Sequence, residues 1–462
     1  MENLVIGVFI VGYLLIAFEH TIRINKTATA IITGVLCWTI FMMVPPENSI
    51  VNAPSYQHFL IQLEHEKGAE AVANLSQISL VKEYVVLQLG EHLAEISQIL
   101  FFLLAAMTIV ELIDAHKGFH FITSRIRTQN PVRLLWIVVW VTFFLSAVLD
   151  NLTTSIVMVS MIRKLLPNKV MRWFFAGMII VAANAGGAWT PMGDVTTTML
   201  WIGGQITSWN IIQTVFLPSV ATLLVPMLYL QIVLRGKFGK LVHMQQATNS
   251  PKKPEINGGK LMLILGVSAL LFVPIFKTVT HLPPYLGILL GLGILWVVSE
   301  SIHPDLDESL KKKYTVSGAL TRIDTPSVLF FLGILLAVSA LQSMEILSHA
   351  SSWLDQNISD QRLIIFLIGA LSAVVDNVPL VAASMAMYSM DLYPTDHIIW
   401  EFLAYCAGTG GSMLIIGSAA GVAVMGMERI TFIWFFKKIS LLALMGYVAG
   451  AAVYLLQVYL TH

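Results

Sequence analysis

Charge is what this chain lacks. Only 12% of its 462 residues are Asp, Glu, Lys or Arg, against about 25% in soluble globular domains. The 27 basic and 27 acidic residues cancel, which removes the electrostatic surface that a nucleic-acid binder needs. Cysteine is nearly absent: Cys37 and Cys406 both fall inside apolar runs, far apart. Neither a disulfide framework nor a CxxC-type metal site is therefore expected. No P-loop or other ATP-hydrolysis motif occurs, which argues against coupling to ATP in this chain. The twelve His show no metal-ligand spacing, and no nucleophile–base pair points to an enzyme.

What fills the sequence instead is apolar: 56% of the side chains are hydrophobic. Apolar segments lie at 3–18, 28–44, 97–114, 133–162, 172–203, 211–234, 261–277, 285–301, 326–346, 361–388, 398–427 and 431–459. Runs of this kind suit a hydrocarbon core about 30 Å thick, so the chain reads as an all-α polytopic membrane protein. The first run has no basic leader or small-residue cleavage motif and is kept as a membrane helix. Residues 45–96 are polar and are expected to form a loop at the membrane surface. Glu111 and Asp114 read as a hydrated helix end, with a place on a proton path as the alternative for Glu111.

Basic residues mark the cytoplasmic side. They cluster at Arg23/Lys26, Arg125/Arg127/Arg133, Arg163/Lys164/Lys169/Arg172, in the 235–260 linker, and at Lys311/Lys312/Lys313/Arg322. Segment 133–162 is basic at both ends, which a single crossing helix cannot satisfy. A re-entrant hairpin with its tip near Asp150 and Asn151 can. Segment 361–388 has acidic flanks, among them Asp355, Asp360, Asp391, Asp396 and Glu401, and is expected to dip in from the other side. Ten crossings and two hairpins give a consistent alternation, with both termini outside.

The hairpins repeat one another. Ser146, Ala147, Val148, Asp150 and Asn151 recur as Ser372, Ala373, Val374, Asp376 and Asn377, 226 positions later. NAGGAWTPMGD at 184–194 matches GTGGSMLIIGS at 408–418, and Phe101–Leu103 matches Phe330–Leu332. Opposite entry makes this an inverted repeat, in which each half carries a re-entrant helical hairpin and a discontinuous helix. Transporters of this design build their sites at the midplane. The expected organisation is 1–96 as N-terminal helices and interfacial loop (scaffold), 97–234 as the first repeat, 235–260 as a cytoplasmic linker and 261–462 as the second repeat.

Carboxylates at membrane depth are costly and default to a functional reading. Asp150 and Asp376 also suit helix capping, which explains their position but not their charge. Asn151, Thr153 and Thr154 add side-chain oxygens at the first tip, and Ser372 and Asn377 at the second. Pro191 cannot donate to the carbonyl of Gly187, four residues earlier, and two glycines ease unwinding there. Carbonyls freed in this way bind Na⁺ in discontinuous transporter helices, although a kink that only shapes packing would leave the same residues. Asp194 adds a third acid, whereas its counterpart in the second half is Ser418.

LSAVLDNLTTSIVM, LSAVVDNVPLVAASM and NAGGAWTPMGDVTTTMLW together resemble the NhaD family of sodium/proton antiporters, within the larger ion-transporter superfamily. The likeness runs from about residue 97 to the end. It implies a first half-site of Ser146, Asp150, Asn151, Asn184, Asp194, Thr196 and Thr197, and a second of Ser372, Asp376, Asn377 and Ser412. It further implies Na⁺ held at Asp150, Asn151, Asn184, Asp194 and Thr197, no cofactor beyond Na⁺ or Li⁺ and H⁺, and a homodimer. The expected location is the lipid bilayer of a bacterial inner membrane. If Na⁺ and H⁺ compete for Asp150, Asp194 and Asp376, antiport by alternating access follows. The rivals are an arsenite, anion or dicarboxylate transporter of the same superfamily, a channel and, more distantly, a membrane enzyme.

Overall fold

Apolar runs and helices coincide in the computed structural model. It describes residues 2–17, 19–22, 24–43, 51, 54–123, 128, 130–233, 258–302, 313–358, 360 and 361–461. Among them there is no strand, and nine helices are long and apolar enough to cross a membrane. Most of the 235–260 linker lies outside the described residues. The helices used below are α1 (Glu2–Ala17), α2 (Lys26–Met43), α3 (Gln77–Ala115), α4 (Pro131–Leu149), α5 (Asn151–Leu165), α6 (Lys169–Gly187), α7 (Val195–Ile202) and α8 (Ser208–Val233). They continue as α9 (Gly259–Thr280), α10 (Pro284–Ser301), α11 (Thr325–Ser343), α12 (Gln361–Leu371), α13 (Asn377–Met387), α14 (Ile398–Gly410), α15 (Ala419–Glu428) and α16 (Leu441–Thr461).

One expectation fails. The described part of the 45–96 segment is helical, with Pro54–Lys67, Ala69–Ala73 and then α3, which begins at Gln77. The 39 residues of α3 span about 58 Å at 1.5 Å per residue. Residues 77–96 carry charges that lower their hydropathy, yet Leu, Glu, Gln and Lys are all good helix formers. The polarity of this segment left its helicity intact.

The chain divides into two compact units. The first comprises residues 1–100, 324–361 and 381–393. Its centre is the pair α2 and α11, which approach through glycine: a Cβ on Gly34 would lie 2.6 Å from the Gly333 carbonyl oxygen, and one on Gly333 2.5 Å from the Ala30 carbonyl carbon. Small residues at such crossings let membrane helices pack backbone to backbone. The Trp38 indole N–H then donates to the Leu336 carbonyl, 2.9 Å away.

The second unit comprises residues 101–323, 362–380 and 394–462, and it holds both half-sites. Here each half carries the same parts. Helices α4 and α5 meet at the single residue Asp150, and α12 and α13 meet across 372–376. Helix α6 stops at Gly187 and the chain restarts as α7 at Val195, while α14 stops at Gly410 and restarts as α15 at Ala419. The discontinuities predicted around Gly187 and Pro191 and around 408–418 are thus present.

Equivalent contacts join the parts. The Ser146 hydroxyl donates to the Ala183 carbonyl at 2.6 Å, and the Ser372 hydroxyl to the Ala407 carbonyl at 3.3 Å. A Cβ on Gly186 would lie 2.2 Å from the Phe143 carbonyl oxygen, and one on Gly410 only 1.9 Å from that of Gly369. Both positions require glycine because backbone passes directly over backbone.

The two broken helices run antiparallel, since the end of each is fastened to the start of the other. After α7, Thr207 donates to Asp396 through its amide (2.6 Å) and hydroxyl (2.8 Å), and the Gly204 carbonyl accepts from the Thr395 hydroxyl. At the end of α15, buried Glu428 receives Arg163 and Arg172, each at 2.7 Å. The Glu428 carbonyl accepts from the Trp173 indole. This antiparallel relation is what an inverted repeat requires.

Candidate functional site

Asp150 is a corner made of one residue. It ends α4 and begins α5 at φ 95° and ψ 159°, a backbone region that is essentially confined to glycine. Strain of this kind persists where the surroundings hold it and is concentrated at functional sites. The carboxylate accepts from the Thr153 amide at 2.7 Å and from the Thr153 hydroxyl at 2.9 Å. Capping is therefore real, and the group stays half-buried. The Thr154 hydroxyl on the same turn is buried with no hydrogen-bond partner among the described residues.

The next residue enters a polar cluster. The Asn151 amide nitrogen lies 2.7 Å from Asp194 Oδ2 and 3.1 Å from Asn184 Oδ1 and donates to both. Asn184, fully buried in the last turn of α6, turns its own amide nitrogen to the hydroxyls of Ser418 (3.1 Å) and Ser412 (3.3 Å). Asp194 is 2% exposed and caps α7, accepting from the Thr196 amide at 3.1 Å through Oδ1. The Thr197 and Thr198 hydroxyls both donate to the Asp194 carbonyl at 2.9 Å. Gly187 lies against Gly193, where a Cβ would meet the Gly193 carbonyl oxygen at 2.2 Å, so the strap 188–194 folds back tightly on the end of α6.

Four of the predicted residues, Asn151, Asn184, Asp194 and Ser412, thus belong to one hydrogen-bonded cluster. The structure adds Ser418, which caps α15 as Asp194 caps α7. Its signal in the sequence was the 224-residue offset that pairs it with Asp194. Thr196 is buried on α7 beside Asp194, while Thr153 serves Asp150. Ser146 and Ser372 use their hydroxyls to bind the carbonyls of the adjacent broken helix. At the second tip, Asp376 Oδ1 accepts from the Val378 amide at 3.2 Å, and Asn377 is buried. Asp150 and Asp376 both lie near enough to Asp194 for their charges to act on it.

The halves differ where they meet. The pair Asn184–Ser412 in one sense corresponds to Gly408–Ala188 in the other. A Cβ on Gly408 would lie 3.0 Å from the Ala188 Cβ and 3.9 Å from Asp194 Oδ2. One copy of the motif presents an amide at this crossing, and the other presents nothing. The cluster consequently draws its carboxylate and amides (Asp194, Asn151, Asn184) from the first half and only hydroxyls (Ser412, Ser418) from the second.

Among the described residues, the other acids lie elsewhere. Glu111 pairs with Arg322 at 2.5 Å. Glu401, grouped in the sequence with an acidic flank, is buried in the first turn of α14.

Comparison with known proteins finds related chains over nearly the whole length. Residues 13–403 match the family described as citrate transporter. Sodium/proton antiporter 1 of Arabidopsis thaliana is 47% identical, over 97% of this chain and 71% of that protein. Sodium/proton antiporter 2 of the same plant is 43% identical over 97% of both chains. The Na⁺/H⁺ antiporter NhaD of Vibrio cholerae is 29% identical over 97% of this chain and 90% of its own.

Proposed function

The chain belongs to the citrate-transporter family, among its NhaD-type sodium/proton antiporters, and on that premise we propose that it exchanges Na⁺ or Li⁺ for H⁺. It is an integral, multi-pass membrane transporter and not an enzyme. The observation that carries the exchange reading is the cluster itself. Asp194 sits with Asn151, Asn184, Ser412 and Ser418, and among the described residues no Lys, Arg or His is a hydrogen-bond partner of these side chains. A hard monovalent cation takes oxygen ligands of this kind. Citrate or succinate would bring further negative charge to a buried carboxylate, an arrangement that costs rather than stabilises.

In this reading Asp194 is the shared acid. As a carboxylate it holds Na⁺, with the Asn151 and Asn184 carbonyl oxygens and the hydroxyls of Thr196, Thr197 and Ser412 as candidate ligands. When it takes a proton, the charge that retained the ion disappears. Asp150 and Asp376, one at each hairpin tip, couple to it by charge, and re-entry of the hairpins from opposite faces would give each side of the membrane its own gate. The cluster lies entirely within one compact unit, which suits a site carried as a body in an elevator-like cycle. A homodimer and placement in a bacterial plasma membrane follow from the NhaD likeness and belong to the same proposal. Relatives from a plant and from bacteria share the chain, so the mechanism rests only on a membrane that sustains a proton gradient.

Proteoliposomes holding a pH gradient and challenged with Na⁺, Li⁺, K⁺, arsenite, citrate and succinate test this directly. Na⁺ or Li⁺ should release protons in the wild type, and Asp194→Asn should reduce that release to background. Silence toward both cations from neutral to alkaline pH would sink the reading, and a response to citrate or arsenite alone would install a rival.

A further inference from the structure

Glu401 is a buried carboxylate that the exchange reading does not use. It is 4% exposed, in the first turn of α14, and its two oxygens are engaged from two other helices. The Asn210 side chain on α8 donates to Oε1, and the Tyr454 hydroxyl on α16 lies 3.0 Å from Oε2. The ion pairs among the described residues do not include Glu401. The other groups facing it are Thr214 on α8 and Asp396 in the segment before α14, the latter already bonded to Thr207. Arg362 on α12 acts on the Tyr454 side of the contact.

Tyr454 has one hydroxyl proton and two acceptors in reach. Glu401 Oε2 is 3.0 Å away and the Ile398 carbonyl 2.9 Å. When Glu401 is an anion, the tyrosine proton points to Oε2. When Glu401 is an acid, its own O–H donates to the tyrosine oxygen, and the tyrosine proton turns to Ile398. Each arrangement satisfies the carboxyl group and the hydroxyl without moving a heavy atom. A buried carboxylate is costly as an anion unless it is hydrogen-bonded or paired, and this one has a hydrogen-bond arrangement ready for either protonation state.

We propose that Glu401 is a proton-binding residue apart from the ion cluster, with Tyr454 as the group that accommodates both of its states. It joins α14, the helix that leads to Ser412, to α8 and α16. Gly408, whose Cβ would lie 3.9 Å from Asp194 Oδ2, comes seven positions after Glu401, about 10 Å of helix, so Glu401 sits well away from Asp194 along α14. Proton occupancy at Glu401 then determines how the start of α14 is held, and through it the pH response of exchange.

Infrared difference spectra of the purified full-length protein in lipid, taken between acid and alkaline pH, read carboxyl protonation without any transport. The wild type should show a protonated-carboxyl C=O band that Glu401→Gln abolishes and Tyr454→Phe shifts. The same band should persist in Asp194→Asn, so loss of exchange there leaves this test standing. Superimposable carboxyl bands in wild type and Glu401→Gln would overturn the proposal. Should Glu401→Gln fail to fold, an unshifted band in Tyr454→Phe, which keeps the carboxylate, would overturn it equally.

Discussion

At the scale of single residues, side chains of similar polarity do different work. Asn184 holds two hydroxyls of the second half and accepts from Asn151 of the first, so it positions groups on both sides of Asp194. Ser146 spends its hydroxyl on a carbonyl, as part of the packing between α4 and α6. Asn184→Ala should weaken apparent Na⁺ affinity in the exchange assay by at least about 10–100-fold, since losing even an outer partner at a metal site costs that much. Ser146→Ala should leave that affinity alone and lower stability by about 1 kcal/mol, the worth of an ordinary hydrogen bond. Equal affinity losses would put Ser146 in contact with the ion. Asp194 and Asn184 were legible because they interrupt apolar runs. Glu401 was not: an acid near the end of an apolar run reads the same whether it faces water or packing, and only the partners on α8 and α16 distinguish the two.

At the scale of elements, one glycine crossing fixes each hairpin to its broken helix. Gly186→Ala and Gly410→Ala would each push a Cβ into a carbonyl oxygen at 2.2 Å and 1.9 Å. Backbone cannot yield there as a flexible side chain would, so both variants should melt well below the wild type or fail to accumulate. Gly90→Ala is the control. Nothing lies within 4 Å of its Cβ inside α3, and helix propensity favours Ala there by about 1 kcal/mol. Thermal melting in detergent separates the three, and a wild-type melting temperature for Gly410→Ala would show that the crossing is looser than drawn. The helix breaks were legible from Pro191 and the paired glycines. The extent of α3 was not, because hydropathy reports which solvent a segment prefers and says nothing of whether it is helical.

At the scale of the molecule, the sequence repeat reappears as geometry. Ser146 and Ser372 bond equivalent carbonyls, Gly186 and Gly410 pass under equivalent backbones, and Asp194 and Ser418 cap equivalent helices. Re-entry of the first hairpin makes a separate claim, that both of its ends face one side. In a background without Cys37 and Cys406, single cysteines at Thr128 and Pro167 should react with an impermeant thiol reagent from the cytoplasmic side alone. Labelling from opposite sides would make 133–162 a crossing segment and end the hairpin topology. The ends fastened by Glu428 and by Asp396 went unread in the sequence, since a contact between residues 189 to 265 positions apart leaves no local periodicity.

The mismatch between Asn184 and Gly408 has a consequence for how the two copies tolerate change. One ancestral position now answers to two different filters. At 408 the filter is volume, because Ala188 stands 3.0 Å from any added Cβ. At 184 the filter is chemistry, because the amide must both give and receive hydrogen bonds. A library saturated at both sites would sort accordingly, with 408 rejecting residues in order of bulk and 184 rejecting even an isosteric Leu or Asp. The repeat keeps its shape on both sides while placing the buried carboxylate of Asp194 and the amide of Asn184 on one.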